Sequence, residues 1–306
     1  MKILHFAVEN FARVPANLVH AERALGHESL LVTLYTSAHG FRDEDVCLDA
    51  PFVKIPAADA LRRAVRSRSA ASGGARLRPG QGPPVWKPAN RVAGWLVRAR
   101  DRIWEPRVRR LLASIRIESF DALVLDGGLG FLRNDPFVPA LKAAGMKLAV
   151  GYYGSDFRTR GILPAIDSLA DYRFTMEFDH TLLDPTLDFL LYPFVLPAFQ
   201  RLEAARTGRV RVGHSPTNRA VKGTDAILSQ LSRLGEKYPV ETVLIENLPQ
   251  AEALALKATC DLLVDALGEL GYGVSGVEAM AMGIPTAAEL LPDFERVLGA
   301  HPLINV

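Results

Sequence analysis

The stretch that most constrains the fold of this 306-residue chain is residues 261–285, which read DLLVDALGELGYGVSGVEAMAMGIP. It opens with a short apolar run, residues 262–267, which predicts a buried strand. A turn containing Gly271 and Gly273 follows, and then a helix over residues 275–282. Free backbone N–H groups and the positive end of the helix dipole meet at the start of such a helix. The stretch therefore predicts an anion-binding site.

Glu278, one turn into this helix, has two interpretations. Its carboxylate can accept hydrogen bonds from the two hydroxyls of a ribose. It can equally close a capping box with Ser275, because a Ser followed three residues later by Glu satisfies the first amides of a helix. This stretch alone leaves both open.

Composition and length indicate a folded protein of about two domains. The chain is 49% hydrophobic and 23% charged, and no apolar run reaches the length of a membrane span. Its first residues predict a strand rather than a secretion signal. Cys47 and Cys260 are far apart and form no CxxC motif, which argues against a disulfide scaffold or a cysteine zinc site. The default expectation is a cytoplasmic protein.

Charge is distributed unevenly along the chain. Residues 60–110 contain 14 Lys and Arg, 13 of them Arg, against Asp101 and Glu105, and the rest of the chain has 22 basic and 32 acidic residues. The three tryptophans, Trp86, Trp95 and Trp104, all lie in this block. Such a segment is typical of a surface that contacts an anionic membrane. A helix that packs between domains with a solvated arginine face is the alternative, and nucleic acid is not expected because no recognition motif accompanies the charge.

Strands and helices alternate on both sides of this basic insertion, which spans residues 56–116. The first strand, helix and second strand have the spacing of a parallel βαβ unit. A later predicted strand, residues 147–153, ends in Gly154, Ser155 and Asp156. Ligands bind at the carboxyl edge of open α/β sheets, so these residues are candidates, although Asp156 could instead cap the following turn. The sequence Asp-Glu-Asp at 43–45 matches D-x-D, but its position favours a solvated turn over a metal site.

The second half carries two sharper motifs. A predicted strand leads into His214-Ser-Pro-Thr-Asn-Arg-Ala-Val-Lys-Gly-Thr-Asp225, and the later motif reads G-Y-G-V-x-x-x-E-A-M-A-x-G-x-P. Together these resemble the GT-B nucleotide-sugar glycosyltransferases, specifically the large retaining group (glycosyltransferase group 1 type). The likeness covers residues 1–55 and 120–295 in layout and is specific in the two motifs.

The resemblance implies an α/β fold of two Rossmann-like, parallel-sheet domains that face a central cleft. The expected boundaries are 1–195 for the acceptor side and 196–306 for the nucleotide-sugar side. Arg219 and Lys222 correspond to the residues that hold the donor diphosphate, and with Asp156 they form our catalytic set. Glu278 corresponds to the ribose ligand. The full donor-binding set is Arg219, Lys222, Gly271, Tyr272, Gly273, Val274, Glu278 and Asn247, and the acceptor-side set is Gly154, Ser155 and Asp156.

Several residues depart from the family's pattern. The first of its two glutamates is replaced by Leu270, with Glu269 one position off, and Tyr153 stands where a His often precedes the glycine. His214 reads as a packing residue at a strand end, and Asn247 fits either a base pocket or an Asx-type turn. Family members usually continue well beyond the position of Pro285, so a shortened C-terminus is one interpretation.

The sequence therefore predicts a retaining hexosyltransferase that needs no metal or cofactor. Its partners are a nucleotide-sugar donor, a saccharide or lipid-linked acceptor, and an anionic membrane at the inner face. A non-catalytic GT-B module that binds a nucleotide or a partner is the first alternative, favoured by the missing glutamate. A sugar-nucleotide epimerase is the second, although no convincing set of acid and base residues accompanies it. The nucleotide, the sugar and the acceptor are not specified.

Overall fold

A computed structural model of the protein describes residues 1–37, 42–51, 82–88, 90–194, 208–267 and 271–306. Two compact units make up the chain, Met1–Pro193 and Phe194–Val306. Much of the basic insertion, and the two residues Glu269 and Leu270, lie outside the described part.

The first unit is built on a parallel sheet. Its described residues form seven strands in the order β3-β2-β1-β4-β5-β6-β7. The central strands are almost entirely buried because helices cover both faces of such a sheet, so they read as continuous apolar runs. The strands are β1 Lys2–Ala7, β2 Glu28–Thr33, β3 Val46–Cys47, β4 Ala122–Asp126, β5 Lys147–Tyr152, β6 Tyr172–Thr175 and β7 Asp188–Phe189.

Helices connect these strands. The longest, α2, begins where the Asn90 side chain accepts a hydrogen bond from the Ala93 amide at 2.8 Å, and one of its faces enters the core through Trp104 and Val108. The helices are α1 Val14–Ala24, α2 Arg91–Ser114, α3 Phe137–Ala143, α4 Pro164–Asp167 and α5 Phe178–Leu183. Short 3-10 turns occur at Phe11–Arg13 and Ile117–Ser119, and a π-helical turn at Asp156–Arg160.

The strand order of this sheet reverses between β1 and β4. The chain moves outward from β1 to β2 and β3, and then returns to place β4 on the other side of β1. Open α/β sheets bind ligands beyond the carboxyl ends of strands at such a point. The loops after β1 and β4 flank this point, and the loop after β5 lies next to them.

The second unit repeats the plan with fewer strands. Its described residues form a five-stranded parallel sheet in the order β12-β11-β10-β8-β9. The strands are β8 Val210–His214, β9 Val240–Leu244, β10 Leu262–Ala266, β11 Thr286–Ala288 and β12 Leu303–Asn305. The helices are α6 Arg219–Lys222, α7 Thr224–Gly235, α8 Gln250–Lys257, α9 Val274–Ala281 and α10 Pro292–Leu298. β8 and β10 are neighbours, so their carboxyl-end loops share one edge.

Candidate functional site

Asp265 joins the two motifs of the second unit. The Lys222 ammonium donates to Asp265 Oδ1 at 3.0 Å, and the Gly273 N–H donates to Asp265 Oδ2 at 2.6 Å. Gly273 is the N-cap of α9, and the Asp265 side chain is fully buried at the end of β10. Lys222 and the start of α9 are thus held on one buried carboxylate.

Two glycines permit this close arrangement. A Cβ on Gly273 would lie 2.7 Å from Lys222 Nζ, so the ammonium rests directly against the start of α9. Gly223, which ends α6, has a φ of +66°, and its Cβ would lie 2.1 Å from the carbonyl oxygen of Leu267. The Leu267 N–H donates in turn to the Lys222 carbonyl at 3.2 Å. A residue with a Cβ fits neither this left-handed backbone nor the close contact with Leu267, so position 223 requires glycine. The contact fixes Lys222 over the end of β10.

Arg219 lies on the same short helix but is exposed. Its guanidinium donates through Nε and Nη2 to the two oxygens of Glu246, at 2.9 and 2.6 Å, and Nη1 lies 3.9 Å from Asp225. The Glu246 bonds raise the pKa of Arg219, and the Arg219 bond lowers that of Glu246. Asn247 follows with a φ of +56°, a left-handed conformation that Asn tolerates well and that fits the turn interpretation.

Glu278 forms an ion pair with Lys257, which is not one of the predicted site residues. Its Oε2 accepts a hydrogen bond from Lys257 Nζ at 2.6 Å, and this buried ammonium also donates to the Ser275 hydroxyl at 2.9 Å. The N-cap of α9 is Gly273 and not Ser275, and no side chain caps it. The capping-box interpretation is therefore wrong. The ribose interpretation stays a prediction.

The remaining residues of the donor-binding set lie in or beside the turn before α9. Gly271 has a φ of +73°, and Tyr272 stacks on Phe294 of α10 with ring centroids 5.5 Å apart and planes 16° apart. Val274 is the first residue of α9. These contacts fix the turn against α10.

His214 is a packing residue, as predicted. It is fully buried, its Nδ1–H donates to the Val264 carbonyl at 2.8 Å, and its Nε2 accepts from the Thr224 hydroxyl at 2.9 Å. The carbonyl can only accept, so Nδ1 carries a proton, and the neutral ring with Nε2 unprotonated satisfies both contacts. Burial accordingly lowers the pKa of His214.

In the first unit, Gly154, Ser155 and Asp156 follow β5 at the carboxyl edge of the sheet, as predicted. The Asp156 carboxylate accepts hydrogen bonds from the amides of Tyr153, at 3.0 Å, and Phe157, at 2.8 Å. It therefore stabilises the π-helical turn that it begins. Burial raises the pKa of Asp156, although Arg160 and these amides oppose the change.

A buried ionic cluster lies beside this loop, near the reversal of strand order. His5 on β1 points one ring nitrogen at Asp126, at 2.9 Å, and the other at Glu22, at 3.0 Å. The Tyr153 hydroxyl donates to the other Asp126 oxygen. Burial alone would lower the pKa of His5, but the two carboxylates outweigh it and raise the pKa to about 9.

The D-x-D carboxylates have partners within the fold. Asp43 pairs with Arg13 at 2.9 Å, and Asp45 pairs with Arg23 at 2.6 Å and accepts from the Leu31 amide at 2.7 Å. In the described part of the chain, no group of three or more His, Cys, Asp or Glu side chains is placed to hold a metal ion.

The three tryptophans of the basic insertion have different environments. Trp104 is buried in the core and donates its indole N–H to the Pro51 carbonyl at 3.0 Å. Trp86 is half-buried beneath the guanidinium of Arg133, and Trp95 on α2 is 62% exposed. The described helices include none with the length and apolar content that a bilayer crossing requires.

No protein-family model matches the sequence, and no curated protein matches it either. Among solved structures, the catalytic domain of starch synthase IV from Arabidopsis thaliana, bound to ADP and acarbose, aligns with a TM-score of 0.53 and 12% identity, over 94% of this chain and 83% of its own. The glycotransferase of kitacinnamycin aligns with a TM-score of 0.46 and 12% identity, over 99% and 86%. MurG of Acinetobacter baumannii aligns with a TM-score of 0.40 and 9% identity, over 99% and 86%.

The starch synthase similarity concerns the fold. The α/β architecture with two parallel sheets matches the GT-B glycosyltransferase fold, which confirms the predicted fold class. That the two domains face a common cleft stays a prediction.

The acidic partners of the basic residues were not predicted from the sequence. Asp265 had a detectable signal, because it interrupts an apolar strand just before a glycine turn. Lys257 shows a weaker signal, because it is the charged residue at the end of an apolar helical run. Glu246 shows no such signal. His5 and Glu22 are far apart in sequence, so only the packing of α1 on the sheet reveals their contact.

Proposed function

We propose that this chain is a glycosyltransferase that moves a sugar from a nucleoside diphosphate donor to a saccharide or lipid-linked acceptor. The observation that carries the proposal is the convergence of Lys222 with the N-cap of α9, held by Asp265 at the carboxyl edge of the second sheet. An ammonium and a helix N-terminus at one point favour an anionic ligand. The GT-B fold supports the same proposal.

The chemistry proposed for this edge is stabilisation of the leaving diphosphate. Lys222 has three N–H donors and gives one to Asp265, while Arg219 has five and gives two to Glu246. The remaining donors suit phosphate oxygens, and they neutralise the charge that grows on the leaving group without a metal. Retention of configuration, with the leaving diphosphate helping to deprotonate the acceptor hydroxyl, is the mechanism that the resemblance implies.

Nucleotide binding without metal tests the proposal. Titration calorimetry with UDP, GDP and ADP in EDTA should detect saturable binding of one of them. Lys222→Gln should weaken it at least tenfold, and Arg233→Gln on the exposed face of α7 should leave it unchanged. Strict dependence on Mg²⁺ or Mn²⁺, or the absence of binding by all three nucleotides, would contradict the proposal.

A non-catalytic nucleotide-binding module is the second candidate. The observation that favours it is that Arg219 and Lys222 already pair with carboxylates of the same unit. Hydrolysis of the matching nucleotide-sugar distinguishes the two. A transferase releases the nucleoside diphosphate slowly in water, whereas a binding module that holds the nucleotide does not.

We also propose that α2 places the acceptor side on an anionic membrane, at the cytoplasmic face, where a lipid-linked acceptor is presented. The support is an exposed apolar face on α2 flanked by arginines.

A further inference from the structure

Two arginines lie at the carboxyl edge of the first sheet. Arg133 lies in the loop between β4 and α3, and Arg160 ends the π-helical turn after β5. β4 and β5 are hydrogen-bonded neighbours, so their loops share one edge. Arg160 donates to the carbonyl of Gly127, the residue directly after β4, at 2.5 Å.

Arg133 is held in place but is not neutralised. Its guanidinium carbon lies 4.6 Å from the centre of the Trp86 ring. The backbone N–H of Trp86 donates a hydrogen bond to the Ile162 carbonyl at 2.9 Å. Arg133 Nη1 is buried and has no hydrogen-bond partner. Within the described ranges, neither Arg133 nor Arg160 forms an ion pair with a carboxylate.

The surroundings of the pair only partly favour its charge: burial lowers the pKa of Arg160, and Asp156 favours its charged form. Burial lowers the pKa of Arg133 to about 9, and the positive charges of Arg160 and Arg100 act in the same direction, with Asp101 opposing them. Arg100 is already committed to Asp101 at 2.7 Å. Buried hydrogen-bond donors in folded proteins normally have a partner, which Arg133 Nη1 lacks. An anion beside the two guanidinium groups would offset the repulsion between them.

We propose that Arg133 and Arg160 form a binding site for an oxyanion, the phosphate or carboxylate group of a small molecule. Guanidinium forks match the planar or tetrahedral oxygens of these groups, and Trp86 keeps the Arg133 plane rigid. The site lies wholly in the first unit and stands whether or not the chain transfers a sugar. In a transferase it would select an acceptor that carries phosphate or carboxylate.

Titration calorimetry of the full chain tests the site, with inorganic phosphate and with acetate in separate arms at constant ionic strength. Saturable binding is expected in at least one arm, and the arm that binds more tightly identifies the group. Arg133→Gln and Arg160→Gln should each weaken binding at least tenfold, equivalent to about 1.4 kcal/mol. Arg133→Lys keeps the charge but loses the fork, and should give an intermediate affinity. Circular dichroism checks that each variant is folded.

Two control variants separate this site from others. Arg102→Gln removes an exposed arginine of α2 and should leave the affinity unchanged. Lys222→Gln removes the proposed diphosphate ligand of the second unit, and the part of the binding that depends on Arg133 should persist in it. Binding that survives Arg133→Gln but is lost in Lys222→Gln belongs to the donor site and overturns the proposal. The absence of saturable binding in both arms overturns it as well.

Discussion

His5 shows how strongly a single buried residue can depend on its surroundings. It is 1% exposed on β1 of the first sheet, and each ring nitrogen faces a carboxylate. Both nitrogens can donate only if the ring is protonated, so the imidazolium is the form that this cluster stabilises. Its removal would leave the buried Asp126 carboxylate and the partly buried Glu22 carboxylate without the cation that they share.

This arrangement predicts a loss of stability in mild alkali. The pKa of His5 is raised from 6.5 to about 9, so its contribution is complete below pH 6.5 and is lost as the pH rises through 9. The difference between these two pKa values corresponds to about 3 kcal/mol of unfolding free energy. Urea denaturation of the natural protein should show this decline between pH 6.5 and 9.5.

His5→Gln should be less stable at pH 6.5 and should show a much flatter profile over the same range. His20→Gln, on α1, is the matched control and should keep the decline. A decline of equal size in His5→Gln would show that another group is responsible.

Glu278 gives a second prediction at this scale, because its partner Lys257 is buried. Glu278→Gln removes the negative charge that pairs with this ammonium and leaves it with neutral hydrogen-bond acceptors in a dry site, which should cost about 3–5 kcal/mol of unfolding free energy. Lys257→Met in the same chain removes the stranded charge, so the double variant should be more stable than Glu278→Gln. Urea denaturation measures both, and a double variant that is less stable than Glu278→Gln contradicts the ion-pair account.

The double variant also tests the ribose interpretation without a folding defect. If Glu278 binds the ribose, the Lys257→Met, Glu278→Gln protein should bind a nucleoside diphosphate about 1–3 kcal/mol more weakly than the natural chain. Unchanged affinity would limit Glu278 to a structural role.

Among the elements, the long strands and helices follow from the sequence and the short ones do not. The predicted helix at 275–282 is observed at Val274–Ala281, and the predicted strand at 147–153 at Lys147–Tyr152. Hydrophobic periodicity is recognisable only over several residues. β3 and β7 have two residues each, so the sequence did not predict them. The four residues of α6 are likewise too few to show a helical pattern.

The same limit applies to the candidate site. The glycine turn after a predicted strand pointed to Gly273, because local patterns define such turns, and the resemblance to the GT-B motifs pointed to Lys222. The identities of Asp265, Glu246 and Lys257 as partners depend on which strands are neighbours, and β8 lies beside β10 only in the folded sheet. Spacing along the chain does not contain that information.

Gly223 carries a prediction for the joint between α6 and α7. Gly223→Ala places a Cβ 2.1 Å from the Leu267 carbonyl at a φ of +66°. The left-handed backbone alone costs about 1–2 kcal/mol, and the clash adds to this. The variant should therefore unfold at lower urea concentration, and because Lys222 adjoins this joint it should also bind nucleotide more weakly.

Gly235→Ala is the matched control at the other end of α7. No atom lies within 4 Å of its Cβ position, so alanine should stabilise the helix by up to about 1 kcal/mol. Equal stability of the two variants would show that the Leu267 contact does not constrain Gly223.

At the scale of the whole molecule, the basic charge and the apolar surface of α2 occur together. Four apolar side chains on one side of this helix are exposed, Val92 at 66%, Trp95 at 62%, Leu96 at 49% and Ile103 at 51%. Their helical spacing places them opposite the face that enters the core through Trp104 and Val108. Arginines flank the exposed face. Such a helix suits the interface of an anionic bilayer, where apolar side chains insert and arginines meet acidic headgroups.

Sedimentation with liposomes tests this surface. The chain should pellet with vesicles that contain phosphatidylglycerol at low salt and much less with pure phosphatidylcholine, because each arginine near an acidic leaflet adds about 1 kcal/mol. Salt should release it. Burial of a large apolar side chain contributes about 1.5–3 kcal/mol, so Trp95→Ser with Leu96→Ser should reduce the bound fraction strongly. Tyr238→Ser, which removes a 60% exposed aromatic ring from the second unit, should leave it unchanged. Equal pelleting with both kinds of vesicle, or none with either at low salt, would exclude α2 as a membrane contact and return the acceptor to solution.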